Sequence, residues 1–245
     1  MTTRSSPLLL GLALLALGIV LAAFIGADAA RDVKRASDAI TVTGSARRSI
    51  RADFVIWRAS VSSQQSSLPE AYQEVTRYGD RVRAFLRAQG IPDSSVTVRP
   101  LETYTMPEFA PNGRETGRTA GYRLTQTVEV RSLDVDGITR LSQQVGTLIN
   151  EGVPITAQPP EYLYTRLADV RAEMLGQATK DARTRAAAIA GSVGNQVGGV
   201  RSAQMGVFQI TPRYSTEVSD YGINDVSSVD KDITAVVRVT FAITD

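Results

Sequence analysis

The chain of 245 residues contains no cysteine and no histidine. Without thiols there are no disulfides, no thiolate metal sites and no sulfur nucleophiles. A thiol-free chain is compatible with oxidising and reducing compartments alike. The missing imidazole excludes more. Ser-His-Asp triads, Cys-His pairs and most zinc sites depend on it, as does the commonest general base near neutral pH. An enzyme built on this chain would have to use Asp, Glu, Lys, Tyr or Arg. Basic runs are also lacking: the net charge is +2, with Arg interspersed among Asp and Glu. That pattern does not indicate a nucleic-acid partner.

One long greasy run is present. Leu8 to Ala27 is uncharged and about 20 residues long, near what a bilayer-spanning helix needs. Residues 1–30 are read as a membrane anchor or signal segment, with residues 8–27 as the membrane contact. Ala27-Asp28-Ala29 resembles a signal-peptidase site, but the run is longer than the usual signal core of about 7–15 residues, which favours an uncleaved anchor. Gly18, Ala22 and Gly26 form a small-residue stripe of the kind that lets helices approach closely, although such residues are common in anchors. Arg31, Lys34 and Arg35 outnumber Arg4. By the positive-inside rule alone, that would hold the following domain in the cytoplasm. Residues 31–39 read as a linker and residues 40–245 as one domain.

Within that domain the periodicities alternate. Ile40–Thr43 and Phe54–Val61 read as two strands joined by a short charged turn, with Gly44 as a turn signal. Val55, Trp57, Ala59 and Val61 share one face. Ser67-Leu-Pro-Glu70 predicts a capping box opening a helix with Ala71, Val75, Tyr78, Val82 and Phe85 as its stripe, ended by Gly90 and Pro92. Val96–Thr105 is strand-like, and Met106–Thr119 reads as a long hairpin tip. In Gly121–Arg131, Tyr122, Leu124, Val128 and Val130 face inward. Arg123, Thr125, Thr127, Glu129 and Arg131 face water.

A second helix is expected over Val135–Asn150, with Ile138, Leu141, Val145 and Leu148 inward. An extended stretch, Val153–Tyr164, follows. A long helix is expected over Arg166–Ala190, lined by Leu167, Val170, Met174, Ala178, Ala182, Ala186 and Ile189, its Ala-rich half suited to lying close to a sheet. Val200–Thr211 and Ile233–Thr244 are the last strands, separated by a long polar loop. The order β-β-α-β-β, then α-β-α-β-β, gives an α+β fold of antiparallel sheets with helices on one face.

Candidate chemistry is thin. Asp220, Asp225, Asp230 and Asp232 supply carboxylates but lack calcium-loop spacing; a solvated loop is the simpler reading. The glycines 191, 194, 198 and 199 follow a helix and precede a strand, the reverse of a phosphate-cradling order. Glu70/Glu74 and Asp169/Glu173 are helix-face pairs, read as solubilising charges. Lys180, Arg183 and Arg185 read as solvated, and Trp57 as core. No residue is assigned a catalytic, cofactor-binding or metal-ligating role, and no cofactor is expected.

The segments "ITVTGSARRSIRADFVIW", "LRAQGIPDSSVTV", "EMLGQATKDARTRAAAIAGSVG" and "SSVDKDITAVVRVTFAI" resemble, in that order and spacing, the SIMPL domain family of bacterial exported and membrane-tethered proteins. The resemblance runs from about Ile40 to Ile243. It implies a periplasmic domain, anchored in the inner membrane or released if the signal is cut. It also implies membership of a family in which some proteins form ring- or channel-like oligomers, some are linked to oxidative-stress tolerance, and no catalytic motif is established. The expectation is a non-catalytic domain acting through self-assembly or envelope interaction. The alternative is a binding module for a small molecule or envelope component, with Met106–Thr119 and Pro212–Asp232 as its mouth. A carboxylate-dependent hydrolase stands further off.

Overall fold

The computed structural model describes residues 15–18, 22–23 and 38–244. Of the expected anchor, only residues 15–18 and 22–23 are among these, and they are helical. The remainder of 8–27 and the linker up to residue 37 lie outside the described residues. No helix among the described residues is long and apolar enough to cross a membrane.

The elements run β1 (Ala39–Arg51), β2 (Phe54–Gln65), α1 (Leu68–Ala88), β3 (Val96–Val98), β4 (Glu102–Phe109), β5 (Glu115–Ser132), α2 (Val135–Gln144), α3 (Thr147–Asn150), β6 (Ile155–Ala157) and β7 (Glu161–Leu163). They continue with α4 (Leu167–Ser192), β8 (Gln196–Met205), β9 (Gln209–Pro212), β10 (Ile223–Asn224) and β11 (Asp230–Thr244). The fold is α+β, and its strand pairs are antiparallel except the short β9–β10 pair. The chain forms two compact units, one from residues up to 46, 172–207 and 235 onward, the other from residues 47–171 and 208–234.

In the larger unit β2 and β5 form the spine of a six-stranded sheet. β3 and β4 pair with the outer side of β5, and β6 and β7 with the outer side of β2. Val55, Trp57, Ala59 and Val61 alternate along β2 and are buried with Leu124, Val128 and Val130 of β5. Helices α1 and α2 cover this face. Burying such side chains contributes about 1.5–3 kcal/mol each, which outweighs the modest cost of ordering them. The helical stripe of α1 is Ala71, Val75, Gly79, Val82 and Leu86, with Tyr78 and Phe85 at its margins. Gly79 is in the stripe because a Cβ there would meet Gln126 Oε1 at 2.1 Å. Ser67 is the N-cap residue, but its side chain makes no capping bond, so the expected capping box is not formed.

Other expectations change for local reasons. β1 and β2 are not a hairpin: β1 pairs with β11, and β2 with β5. Gly44 does not turn the chain, since β1 runs straight through it. The bend comes at Ala52 and Asp53, where the Asp53 carboxylate accepts from Thr165 N at 2.7 Å and Thr165 Oγ1 at 3.0 Å. Pro100 lies between β3 and β4, so the single expected strand is two. Met106–Thr119 is mostly ladder, and only Ala110–Arg114 is turn, closed by Ala110 N to Arg114 O at 2.8 Å. The helix expected over Val135–Asn150 breaks at Val145–Gly146 into α2 and α3, while Ile138, Leu141, Val145 and Leu148 stay buried. The strand expected over Val200–Thr211 is likewise two, β8 and β9, interrupted after Met205.

In the smaller unit α4 buries Met174, Ala178, Ala182, Ala186 and Ala190. Ile189, expected inside, is 53% exposed, because Ala190 continues the four-residue spacing and Ile189 lies off it. The alanines allow a close approach of helix and strand. A Cβ on Gly44 would come 2.1 Å from Ala178 O and 2.5 Å from Ala182 N. Ser45 N donates to Asp181 Oδ2 at 2.8 Å beside that contact. β8 pairs along its length with β11, whose Ala235, Val237, Val239 and Phe241 are buried.

Candidate interaction surfaces

Four places in the described residues concentrate charge, exposure or cavity. The first lies on the sheet face of the larger unit opposite its core. Glu129 belongs to the polar row of β5 and alternation places it in water, yet it is 2% exposed. Arg58 Nε donates to its Oε2 at 2.7 Å, Arg131 Nε donates to its Oε1 at 2.7 Å, and Arg99 adds a third guanidinium. Arg58 also reaches Glu161 Oε1 at 2.6 Å. Burial pushes the Glu129 carboxyl up, but the hydrogen bonds from Arg99, Arg58 and Arg131 outweigh it and hold it at about 2. Arginine suits this role because its planar fork keeps its charge and its donor geometry. The cluster ties β2, β5 and β7 to the residue that follows β3.

The second place is the long loop after β9. Of its four expected aspartates, Asp220 and Asp230 are exposed, while Asp225 and Asp232 are enclosed in ion pairs. Lys231, 1% exposed, donates to Asp225 Oδ2 at 2.9 Å and to the Asp225 carbonyl. Asp232 sits in β11, not the loop, and is 3% exposed as a residue. It accepts from Arg47 Nη2 at 2.6 Å, Ser49 Oγ at 2.7 Å and Tyr214 N at 3.2 Å. Burial raises the Asp225 carboxyl, and its bonds to Ser227 and Lys231 lower it to about 2. Burial likewise opposes the bonds from Ser49, Tyr214 N and Arg47, which win and lower Asp232. Asp230 faces Arg51 at the surface. No group of three or more acidic residues among the described residues is arranged to hold a metal ion.

These bonds hold both ends of the loop. Between them Tyr214, Val218 and Tyr221 are 79%, 78% and 98% exposed. Tyr214 has φ +66, the one non-glycine positive φ among the described residues, a strained backbone that its bond to Asp232 supports. Gln209 Nε2 donates to Ser219 O, and Asp225 N to Ile210 O at 2.9 Å. Together with the β9–β10 pair, these fix the base of the loop.

That base forms the third place, a cavity of about 270 Å³ lined by Leu167, Arg171, Phe208, Ile210, Tyr221 and Ile223, among others. No residue of the β4–β5 hairpin lines it, so the two loops expected to make one mouth do not do so there. Smaller cavities, about 230 and 210 Å³, lie beside β8 and at the end of α1.

The fourth place is β8. From Gly199 to Met205 every residue is exposed, whichever face it points to, and among the described residues the strand pairs only with β11. Val200 and Met205 are 53% and 59% exposed.

The other expected charges resolve simply. Glu74 is not a solubilising group, since it accepts from Ser63 Oγ and Gln65 Nε2, both at 2.7 Å. Those bonds lower its pKa and dock α1 on β2. Glu70 lies in the first turn of α1, and Glu173 accepts from Gln177 at 3.1 Å. Arg185 pairs with Asp181 at 2.8 Å. Trp57 is fully buried, as its alternation predicts. Gly194 takes φ +87 after α4, while Gly198 and Gly199 lie in β8.

The model of the SIMPL family, described as a protein of unknown function (DUF541), matches residues 40–241. The chain belongs to the SIMPL family. No curated protein matches it. Among solved structures, the crystal structure of an uncharacterized conserved protein from Listeria innocua aligns at 9% identity, covering 78% of this chain and 91% of that one, with a TM-score of 0.19.

Proposed function

We propose that this SIMPL domain is non-catalytic and acts by self-assembly through the free edge of β8, tethered to the inner membrane by residues 8–27 on the periplasmic side and serving envelope integrity under stress. The observation that carries the reading is β8 itself. Among the described residues β8 pairs with no strand but β11, and Gly199–Met205 are exposed; a strand edge of that kind is a template for another strand. Val200 and Met205 add apolar area where natural edges usually place lysine. The apolar run before residue 28 supports the tether, and the family resemblance supports the periplasmic side against the local charge bias.

The ionisation pattern supports a non-catalytic reading. A carboxylate hydrolase needs one carboxyl held protonated near neutral pH. Among the described residues Glu74, Glu129, Asp181, Asp225 and Asp232 are all shifted the other way.

The test is sedimentation of the full chain against a variant carrying Val200→Lys and Met205→Lys. Assemblies at micromolar concentration that fall to single chains in the variant are expected. A wild-type chain that stays monomeric, or assemblies indifferent to both lysines, would overturn the proposal.

A further inference from the structure

We propose that the cavity at the base of the long loop is a binding site for a small monocarboxylate with an aromatic or branched apolar body. The inference is independent of assembly through β8.

The charge comes from Arg171. Its guanidinium lies over the Phe208 ring at 5.4 Å, and it pairs with no carboxylate among the described residues. An arginine stacked on an aromatic face is already ordered, so little further freedom is lost when its free N–H groups take a carboxylate. Leu167, in the first turn of α4, belongs to the same wall. Asp225, next to the lining residue Asn224, is already neutralised by Lys231. One cation that pairs with no carboxylate among the described residues calls for a ligand with one negative charge.

The apolar body is called for by the remaining walls. Ile210, 7% exposed, forms the floor with Leu167, Phe208 and Ile223. Tyr221, 98% exposed at the rim, offers a ring face for a bound ring to stack on. Asn224 supplies a side-chain amide as a second polar contact. The size argues against anything large. The half-open cavity of about 270 Å³ lies at the small end of ligand pockets, which run to about 300–1,000 Å³. A free acid of that size fits better than the end of a polypeptide.

The site is also built in advance. Gly222, with φ +84, turns the chain so that Ile223 and Asn224 can pair with Gln209 and Ile210. The bond from Asp225 N to Ile210 O closes that short ladder. A ligand meets a formed wall and does not have to order a loop.

The test uses the full chain, isotope-labelled, with 3-phenylpropionate as the probe. Its neutral amide and the peptide acetyl-Gly-Gly-Phe serve as comparisons. Saturable shifts of the Arg171, Phe208, Tyr221 and Ile223 amides are expected with the acid, at a Kd on the order of millimolar or tighter. Affinity should fall about tenfold or more for the amide and in Arg171→Gln, the loss expected for a charge-assisted contact. Unchanged Trp57 emission in the variant shows that its fold is intact. The proposal is overturned by an absence of saturation, by equal binding of acid and amide, or by an Arg171→Gln variant that binds as well as wild type. Tighter binding of the peptide than of the free acid overturns the small-acid assignment in favour of a chain terminus.

Discussion

Lys231 and Asp225 form an ion pair from which water is almost excluded, with Nζ 2.9 Å from Oδ2 and side chains 1% and 7% exposed. Their attraction is set against the cost of desolvating both charges, so the pair's net value is modest, while either half alone is expensive. Lys231→Met is expected to destabilise the domain by about 3–5 kcal/mol. Adding Asp225→Leu should recover a large part of that loss, because the orphaned charge is gone. Urea unfolding followed by Trp57 emission measures both. Limited proteolysis between Arg213 and Val229 should be faster in the single variant.

Glu129 gives the domain a defined acid limb. Its folded pKa, about 2, lies below its ordinary 4.5. The stabilisation it supplies is therefore complete above about pH 4.5 and is lost as pH falls toward 2. By linkage that amounts to about 2–4 kcal/mol. Glu129→Gln should lower stability at neutral pH and flatten its fall with acid. Asp225, also held near 2, leaves a smaller residual slope. Stability measured in urea at several pH values tests the sign.

Gly44 and Gly146 should respond oppositely to alanine. At Gly44 the new methyl would overlap the backbone of α4 at Ala178 and Ala182, costing about 1–3 kcal/mol or more. Gly146 has helical angles and open space around it. Alanine there should stabilise by about 0.4–1 kcal/mol by restricting the unfolded chain. Thermal unfolding of the two variants gives the contrast directly.

Most buried stripes were legible in the sequence, because a period of two or of three to four is a local property. Trp57 among its alternating neighbours and Met174 through Ala186 along α4 are examples. The misreadings came where the decisive neighbour is distant in the chain. Glu129 reads as a wet residue until β3 brings Arg99 beside Arg58 and Arg131. Gly44 reads as a turn until α4, more than a hundred residues later, needs its missing side chain. Asp225 reads as a solvated loop charge, and nothing in its spacing from Lys231 signals that both are enclosed. The cavity beside Arg171 had no signal of its own, since its walls come from α4, β9 and β10.

Shortening the β4–β5 hairpin, by replacing Ala110–Arg114 with Asn-Gly, is expected to change stability by no more than about 0.5 kcal/mol. Residues 111–120 are all exposed, and the tip is closed by its own bonds.

That self-contained tip has an evolutionary consequence. Its length and side chains can drift without disturbing folding, so selection there acts on encounter alone. Sequence divergence among family members should concentrate in it, while the packing under Trp57 stays under constraint. The ribbon is also a natural point for grafting an epitope or affinity tag.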